Sequence, residues 1–87
     1  DGGLDALLRR LDGDELDFLR AALVHDDADR SRRTVAVASR CKSMPEMLIE
    51  RINDKSLEVF GDILIDMSAS AVLEDYCLSV KEILDEQ

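Results

Sequence analysis

The stretch MPEMLIERINDKSLEVFGDILID, running from Met44 to Asp66, decides how the chain folds. Its first part predicts a helix. Pro45 suits a first helical turn, where a missing N–H costs nothing, and Glu46 complements the positive end of the helix dipole. Leu48, Ile49, Ile52, Val59 and Phe60 recur at helical spacing and fall on one face. Gly61 can adopt the left-handed conformation that closes a helix. Beyond it the period changes, and Asp62, Ile63, Leu64, Ile65, Asp66 and Met67 form a short β-branched run bounded by charge, the signature of a strand. One feature of this stretch opposes folding. Glu46, Glu50, Asp54 and Glu58 recur every fourth residue, and like charges at that spacing disfavour a helix by roughly 0.2 to 0.5 kcal/mol per pair.

Working outward toward the N-terminus, Arg30 to Lys42 carries Arg30, Arg32, Arg33, Arg40 and Lys42 and no acid. The net charge of -9 is therefore +5 here and -14 elsewhere, so the chain is a dipole in sequence. Val35 and Val37 alternate with Thr34, Ala36 and Ala38 as a strand might, but the alternation is short and the alanines favour a helix. Ser43 and Met44 make a tight junction to the central helix. Leu4, Leu7, Leu8 and Leu11 mark a first short helix, stopped at Asp12 and Gly13. Asp12 or Asp14 caps a second, in which Leu16, Phe18, Leu19 and Leu23 face inward and which ends near His25. His25 to Asp29 reads as a polar loop. Toward the C-terminus, Ser68 to Ser70 is a tight connection, Ala71 to Leu73 returns as a second strand, and Tyr76, Cys77, Val80, Ile83 and Leu84 are helically spaced from Asp75 on.

The fold class expected is α+β and predominantly helical: three to four helices, a two-stranded hairpin and a closing C-terminal helix, in the order of a winged helix-turn-helix. With 87 residues this is one small domain, 1–87, burying about 60 to 65% of its unfolded surface, too little for a deep enclosed active site. Residues 1–3, Asp1, Gly2 and Gly3, read as linker or tag remnant of a domain excised from a longer protein.

Composition excludes several functions. An excess of acid repels phosphate backbones and anionic membranes over a Debye length of roughly 8 to 10 Å. No apolar run reaches the ~20 residues of a membrane span and no signal peptide is present, so a cytoplasmic protein is expected. Cys41 and Cys77 stand apart, with neither a CxxC pair nor a nearby histidine, and read as reduced cysteines rather than a zinc or redox site. His25 lacks a partnered nucleophile, no glycine loop could cradle phosphate, and no enzyme is expected.

The residues of the opening stretch resemble the core of the TerB C-terminal domain family. The resemblance is carried by Met44 and Pro45, by Ile52, Asn53 and Asp54, by Phe60, Gly61 and Asp62, and by the apolar run Ile63 to Asp66, with Glu74, Asp75 and Tyr76 as an acidic-aromatic ending. It covers about a quarter of the chain. It implies a non-catalytic accessory domain of bacterial proteins linked to tellurite resistance and stress response, with acidic positions that bind metal. The metal candidates carried over are Asp54, Asp62 and Asp66, then Glu74 and Asp75; Glu58 joins them from the acid row. A divalent cation, Ca²⁺ or Mg²⁺, is the only cofactor considered, since such hard ions take carboxylate oxygens. The uncharged Ser68, Ala69 and Ser70 depart from the acidic or glycine-rich connection expected there.

The plainer reading of the acid row is a solvated face neutralised by Arg51 and Lys55, each three residues before Asp54 or Glu58. The arginine-rich helix either pairs with the protein's own carboxylates or docks an acidic partner through Arg30, Arg32, Arg33 and Arg40. Met44, Met47 and Leu57 stray from the apolar stripe and are either core ends or a docking patch. The function expected is an interaction domain presenting an acidic face to a divalent cation or a basic partner, whether a neighbouring domain, another protein or a second copy. A nucleic-acid-associated winged helix or a dimerisation module is the alternative.

Overall fold

The computed structural model describes residues 2–86. Five helices are interrupted once by a small hairpin: α1 (Gly2–Arg10), α2 (Gly13–Ala22), α3 (Asp27–Arg40), α4 (Pro45–Val59), β1 (Ile65–Asp66), β2 (Ala71–Val72) and α5 (Glu74–Asp85). The protein is mostly helical, with one two-stranded antiparallel sheet.

Each helix begins where a local signal permits. Asp12 caps α2 through a full capping box: its carboxylate accepts from the Glu15 N–H, and the Glu15 carboxylate accepts from the Asp12 N–H, both at 2.9 Å. Asp26 caps α3 by accepting from the Asp29 N–H. That cap starts α3 at Asp27, so the loop expected from His25 to Asp29 is shorter, its last three residues being the first turn of the helix. Gly2 and Gly3 form the start of α1, while Asp1 lies outside the described residues.

Two of the helices, α3 and α4, are followed by left-handed residues. Lys42 takes φ 56° after α3, and Gly61 takes φ 89° after α4, where its N–H reaches the Ser56 carbonyl at 3.0 Å. The strand run is shorter than its sequence suggests. Only Ile65–Asp66 pairs with Ala71–Val72, in the register Ile65↔Val72 and Asp66↔Ala71. Asp62 and Ile63 are exposed turn residues instead, because the chain is still completing the Gly61 reversal there.

One aliphatic core holds these elements together. Leu4, Leu7, Leu8 and Leu11 of the N-terminal segment meet Phe18 and Leu19 of α2, Leu48, Ile49 and Ile52 of α4, and Leu64 and Ile65 at the hairpin. Val80 and Leu84 bring in α5. Fully burying each such side chain contributes about 1.5 to 3 kcal/mol before the entropic cost of ordering. α2 packs along α3 and α1 along α4. This layering points one face of α4 into the core and leaves the opposite face to solvent.

Candidate partner-binding faces

Asn53, Ser56, Phe60, Asp62 and Tyr76 build the joint between α4, the hairpin and α5. The Asn53 side chain clamps the first strand: Nδ2 donates to the Ile65 carbonyl at 2.9 Å, and Oδ1 accepts from the Leu64 and Ile65 N–H groups at 2.9 and 3.0 Å. Ser56, fully buried, donates from Oγ to the Asp62 carbonyl. Asp62 accepts from the Ile63 N–H at 2.8 Å and from the Tyr76 hydroxyl at 2.5 Å, tying the turn to α5. Phe60 stands edge-on to the Tyr76 ring, with centroids 5.1 Å apart at 80°.

The Tyr76–Asp62 bond has a readable consequence. The hydrogen bond to the Asp62 carboxylate, with lesser contributions from burial and from the charges of Asp62 and Asp75, raises the Tyr76 phenol above its ordinary value of 10.0. The folded state favours the neutral phenol, so this contact stabilises below the unfolded pKa and is lost as pH rises through the folded one. The chain has a single tyrosine. An ultraviolet titration of phenolate absorbance is therefore expected to show a midpoint above 10.0 that falls in Asp62→Ala; equal midpoints would contradict the contact.

The six carboxylates considered for a metal do not form one ligand set. Asp62 is committed to Tyr76 and its own turn, and Asp66 accepts from the Ser68 N–H and hydroxyl. Glu58 pairs with Arg10 at 3.1 Å. Asp54 is exposed on α4, and Glu74 and Asp75 are exposed in the first turn of α5. Among the described residues, no three His, Cys, Asp or Glu side chains come together as a metal site would require. Glu74 and Asp75 fall where carboxylates favour a helix start. Burial raises the Cys41 thiol, helped by its contact with Asp14, and so holds it as the protonated, weakly nucleophilic form.

The outer face of α4 has another character. Glu46, Glu50 and Asp54 are exposed and have neither ion pair nor side-chain hydrogen bond among the described residues. Arg51 and Lys55 do not neutralise the row, contrary to the sequence expectation. They turn toward α2, where Arg51 meets Asp12 at 3.0 Å and Glu15 at 3.2 Å, and Lys55 meets Glu15 at 2.6 Å. The reason is Glu15, whose side chain is fully buried and draws both cations. Met47 and Leu57 lie among the free carboxylates, 56% and 51% exposed. Helical spacing puts Met47, Glu50, Asp54 and Leu57 within one stripe, at i, i+3, i+7 and i+10.

The four arginines of α3 separate into three kinds. Arg30 is buried and structural: its guanidinium donates to the carbonyls of Val24, His25 and Ala69 and to the Asp27 carboxylate. It joins the α2–α3 loop to the hairpin turn and is not available to a partner. Arg30→Ala is expected to lower stability by about 2 kcal/mol, because the three carbonyls it frees are partly rehydrated; denaturant melts with an unchanged midpoint would contradict this. Arg32 and Arg33 share Asp29, at 3.1 Å each, and their hydrogen bonds hold its carboxyl below the ordinary range. Arg40 has no partner among the described residues.

Arg33 and Arg40 also line a groove of about 450 Å³ between α2 and α3, with Asp17, Arg20, Ala21, Val24, Ala36 and Val37. Sequence reasoning missed Arg20. It sits in the last turn of α2, and only the short loop to α3, which makes the two helices neighbours, hints that it could join the arginines of the next helix.

No protein-family model matches the chain, and no curated protein or solved structure is significantly similar to it.

Proposed function

We propose that this protein is a non-catalytic interaction domain that receives a basic, amphipathic partner on the outer face of α4. The observation that carries the reading is the combination of three carboxylates unpaired among the described residues, Glu46, Glu50 and Asp54, with the half-exposed Met47 and Leu57 on that face. The protein contains cations that could neutralise the row, yet Arg51 and Lys55 are drawn to Glu15. The row keeps its mutual repulsion, which an incoming cation relieves.

The order of elements supports a winged-helix-like architecture, with α3 and α4 as the turn-joined pair and the hairpin as the wing. In a DNA-reading member the second helix of such a pair carries cations and amides toward phosphates and bases. An acidic α4 suits a basic protein surface instead. The resemblance to the TerB C-terminal domain is compatible with this role and gives its setting: an accessory domain of a bacterial, stress-linked protein, with a neighbouring domain or a second protein as partner.

The test uses a synthetic Lys/Leu amphipathic helical peptide as probe, followed by fluorescence anisotropy. Wild-type protein is expected to bind it with an affinity that falls as salt is raised, and Glu50→Lys with Asp54→Lys to weaken binding at least about tenfold, the effect of roughly 1.4 kcal/mol. Equal binding by the double variant would contradict the reading.

A further inference from the structure

We infer that the α2–α3 groove is the receptor for the α4 outer face of a second copy of this chain, so that copies associate head to tail. The inference rests on the docking role proposed for α4 and names one partner for it. The groove and the face share no residue, and their chemistries are complementary. Arg20, Arg33 and Arg40 line the groove with Asp17, which Arg20 faces at 4.0 Å; counting Arg32 and the Asp29 that it shares with Arg33, four cations stand against two carboxylates, a positive patch on a chain of net charge -9. Its apolar lining residues, Ala21, Val24, Ala36 and Val37, are small, suited to the protruding Met47 and Leu57.

The spacing also matches. Arg33 and Arg40 are seven residues apart on α3, about 10.5 Å along the axis, and Glu46 and Asp54 are eight apart on α4, about 12 Å. Among the described residues, Arg40, Glu46, Glu50 and Asp54 have no ion pair or side-chain hydrogen bond, so docking does not first require breaking an ion pair at those positions. Arg33 is held by Asp29 but is mostly exposed, and an exposed pair of this kind is readily exchanged.

Because the two surfaces differ, the contact is heterologous, and each docked copy leaves a groove at one end and a face at the other. Net repulsion between copies acts over roughly 8 Å at physiological salt, whereas the docked charges are in contact. Association should therefore be strongest at intermediate ionic strength. At very low salt the whole-molecule repulsion dominates, and at high salt the ion pairs are screened.

Sedimentation velocity on the full chain from about 10 µM to about 1 mM, the range suited to a small and weak contact, tests this. The wild-type mass is expected to rise with concentration from the monomer toward twice that value and beyond. Arg33→Glu with Arg40→Glu, and separately Glu46→Arg with Asp54→Arg, should each remain monomeric while keeping the wild-type circular dichroism, since all four side chains are exposed. Mixing the two double variants should restore association, because each then supplies the charge the other has reversed. A wild-type protein that stays monomeric throughout, or a mixture that fails to associate, would overturn the inference. Binding of the Lys/Leu peptide by that same monomeric wild type would leave the docking role of α4 intact and remove only the second copy as its partner.

Discussion

Replacing Asn53 with alanine is expected to cost about 3 to 5 kcal/mol, the largest effect of any single polar substitution in the protein. The change removes three hydrogen bonds at once and strands two N–H groups and a carbonyl at Leu64 and Ile65, both fully buried. Buried backbone groups left unpaired cost about 1 to 3 kcal/mol each, partly recovered by relaxation. A domain of 87 residues has a stability of roughly 4 to 13 kcal/mol, so the variant approaches the threshold of folding. Urea denaturation followed by circular dichroism measures it. A loss below about 1 kcal/mol would mean that the clamp is replaced by water or by a shifted strand.

Glu15 is the second such position. Its carboxylate closes the capping box of α2 and receives Lys55 at 2.6 Å and Arg51 at 3.2 Å, with the side chain fully out of solvent. The two oxygens are not equal. Oε1 accepts hydrogen bonds from Lys55 and the Asp12 N–H, while Oε2 has the Arg51 charge beside it without a well-aligned hydrogen bond. Glu15→Ala should therefore cost about 2 to 3 kcal/mol, combining the cap, the packing and the buried pair. The figure stays below that for a fully enclosed pair because Arg51 and Lys55 are 47% and 34% exposed and can rehydrate. Glu15→Gln keeps the capping geometry and removes the charge, so about 1 kcal/mol is expected. Thermal melts of the two variants separate the contributions. If the glutamine variant is destabilised as much as the alanine one, the ion pairs rather than the cap hold α2 to α4.

These two positions show how far the sequence could be read. The helix from Pro45, the Gly61 reversal and the mostly helical class with a hairpin were legible because each rests on local signals: a proline start, a left-handed stop and a change of hydrophobic period. The capping pair Asp12 and Glu15 was only half legible. Asp12 was a cap candidate, but burial of Glu15 depends on α4 being laid against α2, which is a tertiary fact. The strand was overextended because a β-branched run does not reveal how many of its residues find a ladder partner. Here Asn53 supplies side-chain pairing to Leu64 and Ile65 in place of a longer ladder.

The site divides in the same way. The acid row was visible as a repeat, yet which carboxylates are free was not, since Glu58 is taken by Arg10 across 48 residues. Arg51 and Lys55 were assigned to their own helix by the i, i+3 rule, a weak interaction of about 0.2 to 0.5 kcal/mol that a buried carboxylate on another helix outweighs. Asp62 stands in the sequence as a metal candidate; its contacts to the Ile63 N–H and the Tyr76 hydroxyl, which depend on how α5 packs, make it a turn acid instead. Arg30 looked like its neighbours in sequence, and only the approach of the hairpin turn at Ala69 reveals it as a buried strut.

The account turns on the outer face of α4 as the surface that meets a partner, and backbone amide NMR with the Lys/Leu peptide tests this most directly. The predicted result is a set of saturable shift changes concentrated on Met47, Glu50, Asp54 and Leu57, absent in the Glu50→Lys, Asp54→Lys variant. The contradicting result is a pattern that leaves α4 unchanged, or one that spreads equally over every acidic surface of the protein.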